Sequence, residues 1–486
     1  MSASTENTAT TTHSSVVPND NDLPPLVTDR PPRVLIAGAG LGGLFLGILL
    51  DKAGIPYEIF ERSTELRPLG SVMCLSPNIL PAVEQVGLYE ELMTVAKPVL
   101  RNTFYTGELG IVAKLETLTT DTVGYDRVLF SRPDFSAMLL KKIPPKNLRM
   151  SKKVLTFEQD QDGVTVTFED NTTARGDILV GADGAHSAVR QHLYKTLGKR
   201  HVIPKVDNKP LKGYISLVGT TGALDPVKYP CVLKEESEVH YVIGDNDTPY
   251  SWFIFSVPGN KICWTVIVQL GVAELADENF SCSDWVPQKN NKMMDSVRHL
   301  KIPFGTMGDL FDATPSEGVS KVLFEDQLFD TWHHGRTVLI GDAAHQLLPA
   351  SGSGAINAMQ DAVILANHIY DIKPTSYKNI KEALNDYKNE RFDLVEEQYG
   401  HSRISAKLLF GHTLWERVFR YVIFNWLPAS VQKKQLIKDS SYRPQAVFLP
   451  PAPKRGTMEV TPQRPSKRIQ QEEEEAKKRA AAAAAL

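Results

Sequence analysis

The chain has 486 residues, is 42% hydrophobic and 23% charged, and carries a net charge of −3. That balance is globular, with core enough for about two domains, and has no basic surplus pointing to a nucleic-acid partner. Four scattered cysteines, Cys74, Cys231, Cys263 and Cys282, form no C-x-x-C pair, which argues against a zinc site and a disulfide framework and fits a reducing, cytoplasmic setting.

The first 20 residues are rich in Ser, Thr and Asn. They have neither a basic start nor an apolar core, so they do not read as a secretory signal, and disorder is expected up to about Pro31. Residues 33–62 then organise the rest. Residues 34–37 read as a buried strand, Gly38, Gly40 and Gly43 fill a G-x-G-x-x-G, residues 41–53 read as a helix, and residues 57–60 form a second strand ending on Glu61. The first glycine makes the tight turn, the second lets a pyrophosphate approach the backbone, and the third lets helix and strand pack closely. The helix N-terminus offers free N–H groups and the positive end of its dipole. Glu61 follows Gly38 by 23 residues, where an acid takes ribose hydroxyls. A membrane segment is the competing reading, because residues 34–50 are 17 residues without a charge. That is at the short limit for a span, and the glycines stand at fingerprint spacing.

Pro68 and Gly70 mark a loop. Residues 77–86 and 88–96 read as helices, 102–106, 111–118 and 128–131 as strands, and 132–140 as a helix with Pro133 early in its first turn. Residues 146–180 alternate like a small sheet and lead into a second strand, glycine turn and helix at 177–190. From 212 to 269 the pattern is an antiparallel sheet, with Pro258-Gly259-Asn260 its clearest turn, and a helix near 284–300 leads out. Residues 337–345 repeat the strand-and-turn pattern, and long helices follow at 356–370 and 378–409. Residues 415–427 carry an apolar face wide enough to touch a membrane surface; packing on the protein body is the preferred reading. Residues 446–466 are proline-rich, and the end pairs glutamates with Lys and Arg at i,i+4 as a solvated helix would.

Three stretches together resemble the FAD-dependent group A flavoprotein monooxygenases, the aromatic hydroxylase-like family. They are the N-terminal fingerprint with Glu61, the run Gly181-Ala-Asp-Gly-Ala-His-Ser-Ala-Val-Arg190, and Gly341-Asp-Ala-Ala-His345 with Pro349 and Gly352. The pattern looks closest to fungal members that hydroxylate or epoxidise natural products. The resemblance implies an α/β fold: a Rossmann-like FAD-binding domain with an inserted antiparallel-sheet substrate domain and C-terminal helices. The boundaries expected are a disordered 1–30, FAD-binding parts at 31–205 and 320–372, the sheet at 206–319, a helical region at 373–445 and a low-complexity tail at 446–486.

The resemblance also implies roles. Gly38, Gly40 and Gly43 would hold the FAD pyrophosphate, Glu61 the adenosine ribose, and Arg62 the adenine end. Gly70 and Val72 would run beside the cofactor and Arg132 would contact it. Asp183 and Arg190 belong to the motif that serves FAD and NAD(P)H. Asp342 would bind the ribityl or pyrophosphate region, and Gly354 and Ala355 would offer N–H groups that stabilise the anionic reduced flavin. The family often has an asparagine where this chain has Ile356, with Asn357 next. His186 and His345 read as structural rather than acid–base groups.

The implied reaction is reduction of FAD by NAD(P)H, then reaction with O2 to a flavin C4a-hydroperoxide that hydroxylates or epoxidises a small aromatic, polyketide or terpenoid substrate. The cofactor carries the hard chemistry. Tyr214, Tyr241, Trp252 and Phe253 are candidates for the substrate wall, and Tyr214 and Tyr241, with Arg190, for catalysis. The alternatives are a dehydrogenase or reductase of the same fold and a flavin-binding protein without turnover. A flavin halogenase is disfavoured, since no Trp-x-Trp-x-Ile-Pro run occurs.

Overall fold

The computed structural model describes residues 27–65, 72–160, 162–198, 214–244, 250–269, 293–324, 326–410, 414–426 and 429–484. In chain order the elements that build the site are β1 (Val34–Ala37), α1 (Leu41–Lys52), β2 (Tyr57–Phe60), β3 (Val72–Leu75), β4 (Ala96–Thr106), β5 (Val128–Ser131), α2 (Arg132–Lys141), β6 (Ile178–Gly181) and α3 (Ala188–Thr196). They continue with β7 (Tyr214–Thr220), β8 (Ser237–Ile243), β9 (Tyr250–Val257), β10 (Lys261–Gln269), β11 (Val319–Phe324), β12 (Thr337–Leu339), α4 (Gly354–Tyr370), α5 (Tyr377–Phe410) and α6 (Leu414–Trp426).

β1 is central to a six-stranded sheet, with β2 on one side and β6 then β12 on the other, all parallel. Both faces of such a sheet are covered, so its strands are continuous apolar runs rather than alternating ones; β1 is buried at every position. α1 is apolar on all sides, and residues 41–50 are buried throughout, as a helix enclosed by sheet and helix must be. Gly42 permits the close approach to α4: a Cβ there would lie 3.3 Å from the Ala358 carbonyl oxygen.

The second sheet is larger than the sequence boundaries 206–319 imply. Its order is β11-β7-β10-β9-β8-β4-β5-β3, with Ile111–Glu116 added on β4. Residues 72–131 thus supply three of the eight strands of the path as well as the added strand, and β8 joins β4 in parallel while its other neighbour is antiparallel. The alternating patterns on either side of the glycine motif were separate in sequence; backbone pairing merges them into one sheet.

Other differences concern the ends. The expected disorder to Pro31 stops short, because Thr28 exchanges backbone hydrogen bonds with Thr375 and Arg30 pairs with Asp177 at 2.5 Å. The first helix after β3 is only Leu80–Gln85, with Pro81 in its first turn. Of the helix expected at 284–300, residues 284–292 lie outside the described residues. The proline-rich tail is docked: Gln85 donates to the carbonyls of Ala446 and Pro450, Arg443 to that of Val123, and Arg455 pairs with Glu84. Gly456 packs so tightly on Gly124 that a Cβ would meet its backbone nitrogen at 2.5 Å.

α6 departs from the preferred reading. It touches the body through Phe424 on Phe104, at 4.7 Å between rings, and through Arg420 on the Leu408 carbonyl. Yet Trp415 and Trp426 are 80% and 75% exposed, and Leu414 and Tyr421 are exposed with them. Among the described residues no helix is long and apolar enough to cross a membrane.

Candidate active site

The two sheets meet at a cavity of about 510 Å³. One end is the glycine turn, with Gly40, Leu41 and Gly42; the floor is Gly341, Asp342 and the first residues of α4; the other end is the apolar sheet face of Val218, Val239, Phe253, Phe255 and Ile267, closed by Leu409 and Phe410 of α5.

The three fingerprint glycines are needed for three reasons. Gly38 has φ +103°, and a Cβ would sit 2.4 Å from the Ala182 oxygen; only glycine adopts that conformation without strain. A Cβ on Gly43 would lie 2.1 Å from the Gly38 oxygen, so helix and turn close only on glycine there. Gly40 meets nothing nearer than 4.0 Å. Its room is in the cavity, at the N-terminus of α1, where unpaired N–H groups favour an anion.

Glu61 shapes this turn, accepting from the N–H groups of Ala39 at 2.9 Å and Ser63 at 3.0 Å. Arg62 is on the surface. Gly70 lies outside the described residues, and Val72 begins β3. Arg132 and Asp342 both line the cavity. Each has accessible surface because it faces that space, yet protein encloses both. Burial lowers the Arg132 pKa against the opposing Asp342 charge, and burial raises that of Asp342 against His345, Arg132 and Arg190.

Asp183 accepts from the N–H groups of Ala188 and Val189 with one oxygen, at 2.7 and 3.2 Å. Its other oxygen is buried without a partner, and burial raises its pKa. Gly354 and Ala355 open α4 at the cavity wall, and a Cβ on Gly354 would meet nothing within 4 Å. Their N–H groups precede the first intrahelical bond, Asn357 to Ser353.

The catalytic candidates fall in different places. Arg190 does not line the cavity. Its guanidinium donates to the carbonyls of Ala185 at 2.6 Å, Ala343 at 3.1 Å and Asp342 at 3.4 Å and covers the Phe329 ring at 4.0 Å. It is a positioning residue that ties the Asp183 turn to the Asp342 turn. Tyr214 is 1% exposed beneath Phe410 and does not line the cavity either. Tyr241 does line it, stacked on Phe104 at 5.0 Å, and burial raises its pKa. Of the other wall candidates Phe253 lines the cavity, while Trp252 is turned away, donating to the Lys301 carbonyl.

His345 is fully buried 2.6 Å from Asp361, the structural role expected of it; His186 lies exposed on the cavity rim. Sequence reasoning missed Arg127 and Cys74, joined at 3.1 Å in the cavity wall. It missed Gln346 too, which lines the cavity and donates to the Ala185 carbonyl. A charged residue abutting the apolar run of β5 was the available signal for Arg127.

The family model for an FAD binding domain matches residues 32–205 and 290–399. The chain belongs to this FAD-binding family. It is an FAD-dependent enzyme of the group A monooxygenase type, with the fold expected of that type. It is 26% identical over 426 residues to the FAD-dependent monooxygenase esdpE of Penicillium shearii, covering 83% of this chain and 84% of that one. It is 27% identical over 391 residues to the FAD-dependent monooxygenase paxM of Penicillium paxilli, covering 77% and 78%. The fold matches that of Klebsiella pneumoniae HpxO complexed with FAD and uric acid, with a TM-score of 0.70 and 21% identity over 85% of this chain and 97% of that one. The open space over Gly40 and the bare start of α4 leave unpaired N–H donors along the cavity, with Arg132 and Asp342 between them in its wall; the unpaired Asp183 oxygen is buried behind that wall.

Proposed function

We propose that the protein uses NAD(P)H and O2 to hydroxylate or epoxidise a small, mainly apolar organic substrate of aromatic, polyketide or terpenoid type. The observation that carries this reading is one continuous cavity running from a glycine turn at a helix N-terminus to an apolar sheet face. FAD, when bound, supplies the redox chemistry, from hydride acceptance to oxygen delivery through a C4a-hydroperoxide.

The chain's own part is binding and exclusion of water. The α1 N-terminus and Gly40 take the pyrophosphate, Glu61 the adenosine ribose and Arg132 with Asp342 the middle of the cofactor. The N–H groups of Gly354 and Ala355 face the flavin, where a fixed dipole end favours added negative charge without reorganisation. Phe253, Phe255, Ile267 and Leu409 keep water from the oxygen-transfer step. Tyr241 is the side chain best placed to touch substrate.

The test is anaerobic titration of the FAD-loaded protein with NADH and with NADPH, followed by flavin absorbance. Bleaching by one of them supports the reading and names the co-substrate. Reduction by neither, with candidate substrates present, sinks it in favour of flavin binding without turnover. Bleaching with no oxygenated product in air favours the dehydrogenase.

A second reading concerns location. The exposed apolar face of α6 favours peripheral contact of a cytoplasmic protein with an intracellular membrane. Two indole rings and a tyrosine presented to solvent on one short helix suit an interface that is apolar on one side and wet on the other.

A further inference from the structure

We propose that Arg127 anchors the substrate, and that the substrate is an apolar molecule bearing one anionic oxygen: a carboxylate, enolate or phenolate. The inference rests on the monooxygenase reading only in calling the bound molecule a substrate. Arg127 stands at the start of β5, which pairs antiparallel with β3 and sets Cys74 opposite Leu129. Its Nη2 donates to the Cys74 sulfur at 3.1 Å, and its Nε is buried with no partner. Among the described residues no carboxylate pairs with it.

Buried Arg336 also keeps two unpartnered guanidinium nitrogens, but it lies against the Asp177 carbonyl and the Tyr377 ring and does not line the cavity. Other enclosed arginines are matched. Arg391 pairs with Asp361, Arg403 with Asp326, and Arg190 and Arg443 are held by backbone carbonyls. Arg132, the other arginine of the cavity wall, has the charge of Asp342 close by. The ionisable groups near Arg127 are the Cys74 thiol and the Tyr241 phenol, which favour its charge against burial; Leu129, Phe253 and Ile267 line the same cavity. A guanidinium enclosed in such a wall with no carboxylate partner has pairing capacity left for an oxygen anion. The planar guanidinium fits an oxygen anion with directed hydrogen bonds, which a lysine would not reproduce. The apolar walls then select the carbon skeleton, and Arg127 fixes which end of it faces the cofactor.

The experiment is calorimetric titration of the FAD-loaded protein with 2-naphthoate and with its neutral analogue 2-naphthamide. Wild type is expected to bind the anion more tightly by about tenfold or more. Arg127→Leu should bind the two equally, and Arg127→Lys should keep part of the preference. Equal binding by wild type, or a preference that survives in Arg127→Leu, overturns the proposal. A shifted flavin midpoint potential in Arg127→Leu with the preference intact also overturns it, because Arg127 would then serve the cofactor. If Arg127→Leu does not fold, Arg127→Gln gives the same comparison. Binding needs no turnover, so a failure of the oxygen chemistry would leave this result readable by itself.

Discussion

Arg391 donates from Nε to Asp361 Oδ1 at 2.8 Å, with both side chains sealed from solvent, while Asp361 Oδ2 accepts from the Gly341 N–H at 2.9 Å and faces His345 at 2.6 Å. The long helix α5 thereby holds the turn that presents Asp342. Breaking a buried pair from one side leaves an uncompensated charge, at a cost of about 3–5 kcal/mol. Arg391→Leu should therefore lose most of the protein's thermal stability, and chemical denaturation measures it.

The same pair gives a pH signature. Its partners His345 and Arg391 hold the Asp361 carboxyl down at about 2, against the opposing effect of burial. A depressed acid contributes stability that is present above its unfolded pKa of about 4 and is lost as pH falls toward the folded value. Wild-type melting temperature should fall steeply between about pH 4 and pH 2. In Asp361→Asn the drop should be shallower from a lower starting point.

Asp342 has the opposite sign. Burial raises its pKa, so its contribution is fully present below the unfolded value and is lost as pH rises through the folded one. Asp342→Asn should raise the melting temperature of the FAD-free protein at neutral pH and weaken FAD binding at the same time. Differential scanning fluorimetry with and without FAD separates the two effects.

The glycines make a graded series. Gly38→Ala and Gly43→Ala drive a methyl into backbone oxygen at 2.4 and 2.1 Å and should destabilise the fold by about 1–3 kcal/mol or more. Gly40→Ala has space, so it should fold normally yet bind FAD more weakly, as fluorescence titration of the cofactor will show.

Most of the cofactor half was legible in the sequence because its parts are local. Strand, glycine turn and helix at 34–52 follow one another in the chain, and Gly38 and Gly43 are required by a neighbour within the turn or by the adjacent strand. The substrate half was not, because partners there are far apart. Cys74 and Arg127 meet only through pairing of β3 with β5, and Tyr214 is covered by Phe410 at the end of α5. Period-two alternation put Tyr214 on the same strand face as Ser216 and Val218, both in the cavity wall, but could not show what lies over it. The tail read as low complexity because its docking uses backbone carbonyls and single side-chain pairs to distant residues, such as Arg455 with Glu84, which leave no periodic pattern.

For α6, replacing both exposed indoles, as Trp415→Glu with Trp426→Glu, should reduce sedimentation with phosphatidylserine-containing vesicles several-fold and leave flavin reduction unchanged. Undiminished sedimentation would count against the membrane contact.

The most direct test mixes the anaerobically reduced, FAD-loaded protein with oxygenated buffer in a stopped-flow spectrometer. A near-ultraviolet transient, distinct from oxidised and reduced flavin and longer-lived than with free flavin, is predicted, because the apolar walls hold water away from the oxygenated cofactor. Direct return to oxidised flavin with stoichiometric hydrogen peroxide, whatever candidate substrate is present, would contradict the monooxygenase account.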